Sequence, residues 1–355
     1  MILKDRIAAR IRLDGPMRLS DYMSDCLLHP TLGYYTNRDP LGIAGDFITA
    51  PEISQMFGEL IGLSLAQSWL DQGRPTPFTL AELGPGRGTL MADALRATRA
   101  VPGFHAAAHL TLIEASPPLR AVQAARLEPF TPTWLEDPTA LPDQPLFVVA
   151  NEFFDALPIR QFQRDGTGWR ERLVGLNGDD LAFGLGSPAP YPALSHRLED
   201  TKDGDLVETC PASHSVIPAL ATRIATHGGA ALIVDYGDWR SLGDTFQALK
   251  GHEATGVFDE PGQADLTAHV DFEVLARAAK ASGCAHSRLT TQGVFLERLG
   301  ITARAQALSQ GRNSATVAAI TSAHRRLTHG QEMGNLFKVL GLYPAQATPL
   351  PGLDP

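Results

Sequence analysis

Residues 79–93 read TLAELGPGRGTLMAD, with Glu82 just ahead of Gly84, Gly86 and Gly88 and a helix-like pattern at once after them. A strand that ends in glycines and opens a helix is a nucleotide-binding turn, because glycine alone takes positive φ freely and lets a ligand approach the backbone. Glycines also gather in turns for that conformational reason alone. In a dinucleotide fingerprint the spacing is G-x-G-x-x-G; here the third glycine falls one residue early. Glu82 would repel a pyrophosphate at this turn, which counts against a nicotinamide oxidoreductase, and would suit an ammonium group. Glu114 ends the next apolar run, where an acid bonds both hydroxyls of a ribose. A cation, a close backbone approach and a ribose diol without phosphate describe S-adenosylmethionine. Its amino acid half would meet Glu82, Gly84, Gly86 and Gly88, and its ribose Glu114. Trp134 either flanks the adenine or is a plain core residue.

A second set of polar residues follows a later apolar run. NEFFDALP, residues 151–158, places Asn151, Glu152 and Asp155 together. Acids at strand ends also cap helices and hold turns; here they leave a strand on the side where the sulfonium would lie. Asp46 is a third acid, in the glycine- and proline-rich stretch 33–54. Long loops in compact domains are usually functional or disordered. The part from Gly45 to Ser54 is expected to cover the cofactor, Gly45 giving flexibility and Thr49 or Ser54 polar contacts; the alternative is a packed surface loop. Asp235–Tyr236–Gly237 and His269–Asp271 should lie on the same rim and shape an acceptor channel, although a lone histidine is more often structural.

The elements that would position these residues follow from periodicity. FTLAEL, HLTLIEA, PLFVVAN and AALIVDYG are short apolar runs ending in polar residues, the first few separated by helical patterns. Runs apolar on both faces between helices indicate a parallel sheet covered on both sides. Ligands bind beyond the carboxyl ends of such strands, so Glu82, Glu114, Asn151, Glu152 and Asp235 share one rim. Ahead of the sheet the pattern predicts helices over 3–13, over the stretch RLSDYMSDCLL with Ser20 as N-cap and Pro30 as stop, and from about Ser54 to Leu70. Residues 158–208 carry the hairpin signals DGTG and NGDD and read as an antiparallel β insertion. The expected organisation is therefore α/β: N-terminal helices and lid loop over 1–75, a cofactor-binding domain over 76–157 and 209–345, and a β-rich insertion over 158–208.

Bulk properties exclude some classes. The chain has 355 residues, 44% hydrophobic and 19% charged, enough for a sizeable core. A formal charge of −9 disfavours nucleic acid and anionic lipid, which need a basic face, and tolerates a cationic partner. Cys26, Cys210 and Cys284 lie far apart in no metal-ligand spacing, which argues for a reducing compartment and against a metal site. No apolar run is long enough to span a bilayer, so no membrane insertion is expected. The N-terminus lacks a signal-peptide core and carries Asp5, which transit peptides avoid; a cytoplasmic chain is the expectation. A homodimer is compatible with these properties.

GDFITAPEISQMFGELIG, AELGPGRGTL, NEFFDALPIRQF, VDYG, DLTAHVDF and EMGNLFKVLGL, in this order, resemble the MidA-type methyltransferases over roughly residues 15 to 342. That family includes the mitochondrial complex I assembly factor that methylates an arginine. The resemblance implies a class I (Rossmann-like) seven-stranded sheet with extra elements, S-adenosylmethionine as methyl donor, and an arginine on a complex I subunit as acceptor. A guanidinium stays protonated and needs carboxylates to grip its fork and polarise one nitrogen. Glu152, Asp155 and Asp46 are the candidates for that work. A non-catalytic assembly chaperone that binds the cofactor, or a small-molecule methyltransferase, are the alternatives.

Overall fold

The computed structural model describes residues 2–37 and 49–355; the expectations for Gly45 and Asp46 lie outside the described residues. The central sheet is built from β1 (Phe78–Leu83), β2 (Ala108–Ile113), β3 (Thr133–Leu135), β4 (Leu146–Asn151), β5 (Gly229–Asp238), β6 (Cys284–His286) and β7 (Phe337–Pro344). Their spatial order is β3-β2-β1-β4-β5-β7-β6. β1 pairs in parallel with β2 and β4, and β4 with β5, while β7 runs antiparallel to β5 and to β6. Strand order reverses between β1 and β4, the place in an open α/β sheet where a crevice opens at the carboxyl ends.

Side chains alternate across the sheet, and both faces are covered. Phe78, Leu80, Phe147, Val149, Leu232 and Val234 face one layer, with Phe57, Ile61, Leu65 and Trp69 of helix α1 (Gln55–Asp71) and Leu90, Met91 and Leu95 of helix α2 (Thr89–Thr98). Ala81, Leu83, Val148, Ala150 and Ile233 face the other, with Val216, Ile217 and Leu220 of Ser213–His227 and Leu275, Ala276 and Ala279 of Phe272–Ala281. Helices α1 and α2 cross very closely. A Cβ on Gly58 would meet Asp93 Cβ at 2.8 Å, and one on Gly62 would meet Ala94 Cα at 2.6 Å. These two glycines set the direction of α2, whose N-terminus is the glycine turn.

The insertion forms two hairpins, Arg160–Asp165 with Gly168–Asn177 and the latter with Asp180–Leu185. Gly166 and Gly178 take φ of 56° and 64° in their turns, where DGTG and NGDD placed them. Met17–Arg18 pairs with Gly168–Asn177, so the N-terminal helices pack on this sheet, and Leu3, Ile7, Met23, Ile159, Val174, Phe246 and Leu266 form one core. The second N-terminal helix spans Leu19–Leu28 with Arg18 at its N-cap and no side-chain cap. Ser20 therefore lies inside the first turn rather than at the cap, because residues 17–18 are held extended by the sheet. A three-stranded antiparallel sheet joins Gln247–Lys250 to Glu253–Thr255 and Asp265–Thr267, the last two within residues 251–272, whose sequence reads only as polar and glycine-rich.

Candidate active site

The glycine turn leaves β1 with Gly84, Gly86 and Gly88 at φ of 61°, 52° and 75°, all left-handed. Gly88 caps α2. A Cβ on Gly84 would sit 3.0 Å from the ring of Phe153, so the NEFFD segment abuts the turn. Glu82 is buried, and desolvation pushes its carboxyl well above the usual range, opposed by the Met91 backbone N–H. Its Oε2 and the Oδ1 of Asn151 are buried acceptors without a hydrogen-bond partner among the described residues. Orphaned acceptors of this kind are costly unless a donor arrives. Beside a turn open to close approach, they fit the ammonium of an amino acid.

Glu114 follows β2. It accepts from the Ser116 N–H at 2.8 Å and from Gln123 Nε2 at 3.1 Å; burial raises its pKa and these bonds lower it. Gln123 was not singled out by its sequence position, yet it ties the parts together. Fully buried on the helix Pro117–Arg126, it also donates to the Gly86 carbonyl at 2.7 Å and accepts from Trp134 Nε1 at 2.8 Å. Its only sequence signal was a glutamine on the apolar side of that helix. Trp134 lies within β3, half-buried against the core, with its indole N–H directed to Gln123.

The second motif leaves β4 through a strained residue. Glu152 takes φ 50°, a left-handed value uncommon for a side chain with a Cβ. Its Oε1 accepts from the Ala50 N–H at 3.1 Å and Asn151 Nδ2 at 3.2 Å. Desolvation and the nearby charge of Asp155 push it up to about 7. Asp155 is buried and also raised by desolvation, against a hydrogen bond from the Tyr236 hydroxyl; its Oδ1 has no partner among the described residues.

Asp235 does not line a channel. It is fully buried, and its Oδ2 accepts from the backbone N–H groups of Phe153, Phe154 and Asp155 at 3.2, 3.0 and 3.3 Å. Its carboxylate thus holds the loop that carries Glu152 and Asp155. Ser54 also departs from expectation: its hydroxyl caps α1 at the Met56 N–H, 3.3 Å away, instead of facing a ligand. Asp271 caps Phe272–Ala281 through the Val274 N–H and lies 3.5 Å from Arg197.

Beyond β4 and β5 lies a cavity of about 400 Å³. Glu152, Asp155 and Asp265 supply its acids, Tyr35, Tyr236 and Phe337 its rings, and Thr49, His269 and Arg326 further polar walls. Tyr35 donates to Asp265 at 2.9 Å, and its carbonyl accepts from Ser116 at 3.2 Å. Through Ser116, which also holds Glu114, this residue links the cavity to the end of β2. His269 packs edge-on against Tyr236, 5.3 Å between ring centres, and burial lowers its pKa, so it is neutral at physiological pH.

A sheet of this order with a glycine turn at its reversal is a nucleotide-cofactor architecture, and with buried Glu82 behind the turn and Glu114 after β2 it fits the S-adenosylmethionine-dependent methyltransferase class. The model of an S-adenosyl-L-methionine-dependent methyltransferase family matches residues 60–290. The chain is 37% identical to the protein arginine methyltransferase NDUFAF7, mitochondrial, of Xenopus laevis, over 96% of this chain and 84% of that protein. It is 36% identical to the human protein of the same name, over 95% and 82%. A protein from Burkholderia thailandensis, crystallised with S-adenosyl-homocysteine, superposes with a TM-score of 0.82 at 28% identity, covering 99% of this chain and 92% of that one. The chain therefore belongs to the MidA-type family of S-adenosylmethionine-dependent methyltransferases. Its methyl donor is S-adenosylmethionine, and the nicotinamide reading falls.

The cytoplasmic expectation is overturned, because these curated relatives are mitochondrial. Free thiols report a reducing space and do not say which one. Among the described residues, no helix is long and apolar enough to cross a membrane.

Proposed function

We propose that this methyltransferase acts on the guanidinium of an arginine in a protein, a subunit of respiratory complex I, and so supports assembly of that complex. The observation that carries the arginine reading is the cavity beside Glu152. Three carboxylates and three aromatic rings line it, a combination that suits a flat cation. The name protein arginine methyltransferase, borne by relatives at 36–37% identity, supports the same reading. The complex I subunit rests on the family resemblance.

In this reading Glu82 and Asn151 would receive the donor's ammonium, the glycine turn its carboxylate side, and Glu114, oriented by Gln123, the ribose hydroxyls. The donor supplies an electrophilic methyl on a sulfonium. Glu152 and Asp155 grip two edges of the guanidinium and draw its positive charge toward the nitrogens they hold. The remaining nitrogen becomes the better nucleophile. As the N–C bond forms and the S–C bond breaks, one guanidinium proton passes to Glu152, whose pKa of about 7 suits a base at neutral pH. The rings keep water from the attacking nitrogen.

The test is to incubate candidate complex I subunits with the chain and S-adenosylmethionine and map the added methyl by mass spectrometry. Methylarginine is expected. Methylation confined to lysine or to small molecules would sink the proposal, as would none. Light scattering on the same preparation reads whether the chain acts as a homodimer.

A further inference from the structure

Arg326 lines the acid-rich cavity from the helix Ser314–Thr328, on the wall it shares with Met333, Leu336 and Phe337. Its guanidinium has no hydrogen-bond or ion-pair partner among the described residues. Its neighbours on this side of the molecule differ: Arg325 pairs with Glu332 at 2.9 Å, Arg298 with Asp354 at 2.8 Å and Arg304 with Glu59 at 2.7 Å. Its charge reaches Glu152, whose pKa it lowers, yet no ion pair within contact distance joins the two. With His269 neutral, Arg326 is the one fixed cation among the described lining residues.

A cation here opposes the entry of another cation. If the cavity served an isolated guanidinium, Arg326 would weaken binding by like-charge repulsion. Stabilisation of the helix C-terminus is an ordinary use for a last-turn arginine. Arg325 in the same turn already serves it from an exposed position, and the helix dipole gives no reason for a side chain to line the cavity. A half-buried guanidinium with no partner among the described residues is, however, a ready docking site for a carboxylate, to which it donates through two parallel N–H bonds.

From this we infer that Arg326 recognises a carboxylate of the acceptor protein, an aspartate or glutamate close in sequence to the arginine that is methylated. The inference rests on the arginine reading of the cavity. An acceptor segment would then meet opposite charges at two points. Its arginine enters among Glu152, Asp155 and Asp265, and its acid docks on Arg326. The apolar residues between find Met333 and Leu336. Such a pairing would sort arginines by their neighbours, since a segment carrying a lysine in place of the acid meets repulsion.

The experiment uses the full chain and synthetic peptides, each with one arginine in an uncharged sequence, with a single glutamate moved through the positions on either side. Methylation rates and S-adenosylmethionine affinity are measured for wild type, Arg326→Gln and Arg326→Glu. In wild type, glutamate at one or two positions should lower KM about tenfold against the uncharged parent. Arg326→Gln should remove that gain, so that KM with and without the glutamate becomes equal, and leave cofactor affinity unchanged. Because the charge of Arg326 lowers the pKa of Glu152, the pH profile of kcat on the parent should move to higher pH, equally with and without the glutamate. Arg326→Glu should invert the preference toward a lysine at the same position. Methylation of the parent with no gain from any glutamate overturns the inference and leaves the arginine acceptor standing. Weaker cofactor binding in Arg326→Gln with peptide KM unchanged overturns it too, since Arg326 would then hold the carboxylate of the donor. A change only in melting temperature would reduce Arg326 to a helix-end residue. No methylation of any peptide by wild type takes down both readings.

Discussion

Glu152 stands in a backbone conformation that costs of order 1–3 kcal/mol for a residue with a Cβ. The surroundings hold it there: its N–H donates to the Val234 carbonyl at 2.9 Å, and Asp235 gathers the three amides that follow. With a pKa of about 7, its ionised fraction rises across neutrality. If the ionised carboxylate grips the acceptor, kcat should rise with pH through about 7 and level off above it, and Glu152→Gln should lose this limb. A profile flat from pH 5 to 8 in the wild type would remove Glu152 from the chemistry. The consequence for stability has the opposite sign. The folded pKa lies above the ordinary 4.5, so the contribution is full below about 4.5 and is lost as pH rises through about 7. Glu152→Gln should therefore gain melting temperature on the wild type as pH rises from 5 to 8. At the cofactor end, Glu114→Ala should weaken S-adenosylmethionine binding about tenfold to a hundredfold by calorimetry. An unchanged affinity would take Glu114 out of the site. Glu82, Glu114 and Glu152 were legible because each ends an apolar run. Gln123 was not, since a buried glutamine on a helix face has no spacing that marks it. Asp235 read as a rim residue because sequence gives its position on the strand but not the inward turn of its side chain.

At the scale of elements, the glycine turn can serve a ligand only if α2 starts where it does, and Gly58 and Gly62 fix that start. Gly62→Val would drive a branched side chain into Ala94. Overpacking of this kind typically costs 1–3 kcal/mol, and with backbone as the obstacle the upper end is expected. Thermal unfolding should show the loss, with weaker cofactor binding as α2 shifts; an unaltered melting temperature would contradict the close crossing. Elements with a strong local signal were readable. The insertion's hairpins announced themselves through DGTG and NGDD, and the start of α1 near Ser54 through the apolar run that follows, although the Ser54 hydroxyl caps that helix where a ligand contact was expected. Three-residue β6 is too short to carry a period. The strands at 247–250, 253–255 and 265–267 are rich in polar residues and owe their pairing to the N-terminal helices packed against them, a long-range effect that no local window contains.

For the molecule as a whole, the two-sided burial of β1, β4 and β5 makes the sheet visible in sequence, and the reversal of strand order between β1 and β4 brings the two motifs side by side. The antiparallel pairing of β7 was not legible in the sequence, because an apolar run says nothing about direction. The whole assembly then poses one question: whether the acids at the end of β4 turn a cofactor-binding fold into an arginine methyltransferase. The direct measurement compares wild type and Glu152→Gln on the same complex I subunit, with methylation followed by mass spectrometry and S-adenosylmethionine affinity by calorimetry. Methylarginine is expected with the wild type, with a rate about a hundredfold or more lower for Glu152→Gln and nearly equal cofactor affinity. Equal rates from the two proteins, or loss of rate matched by loss of cofactor binding, would contradict that expectation.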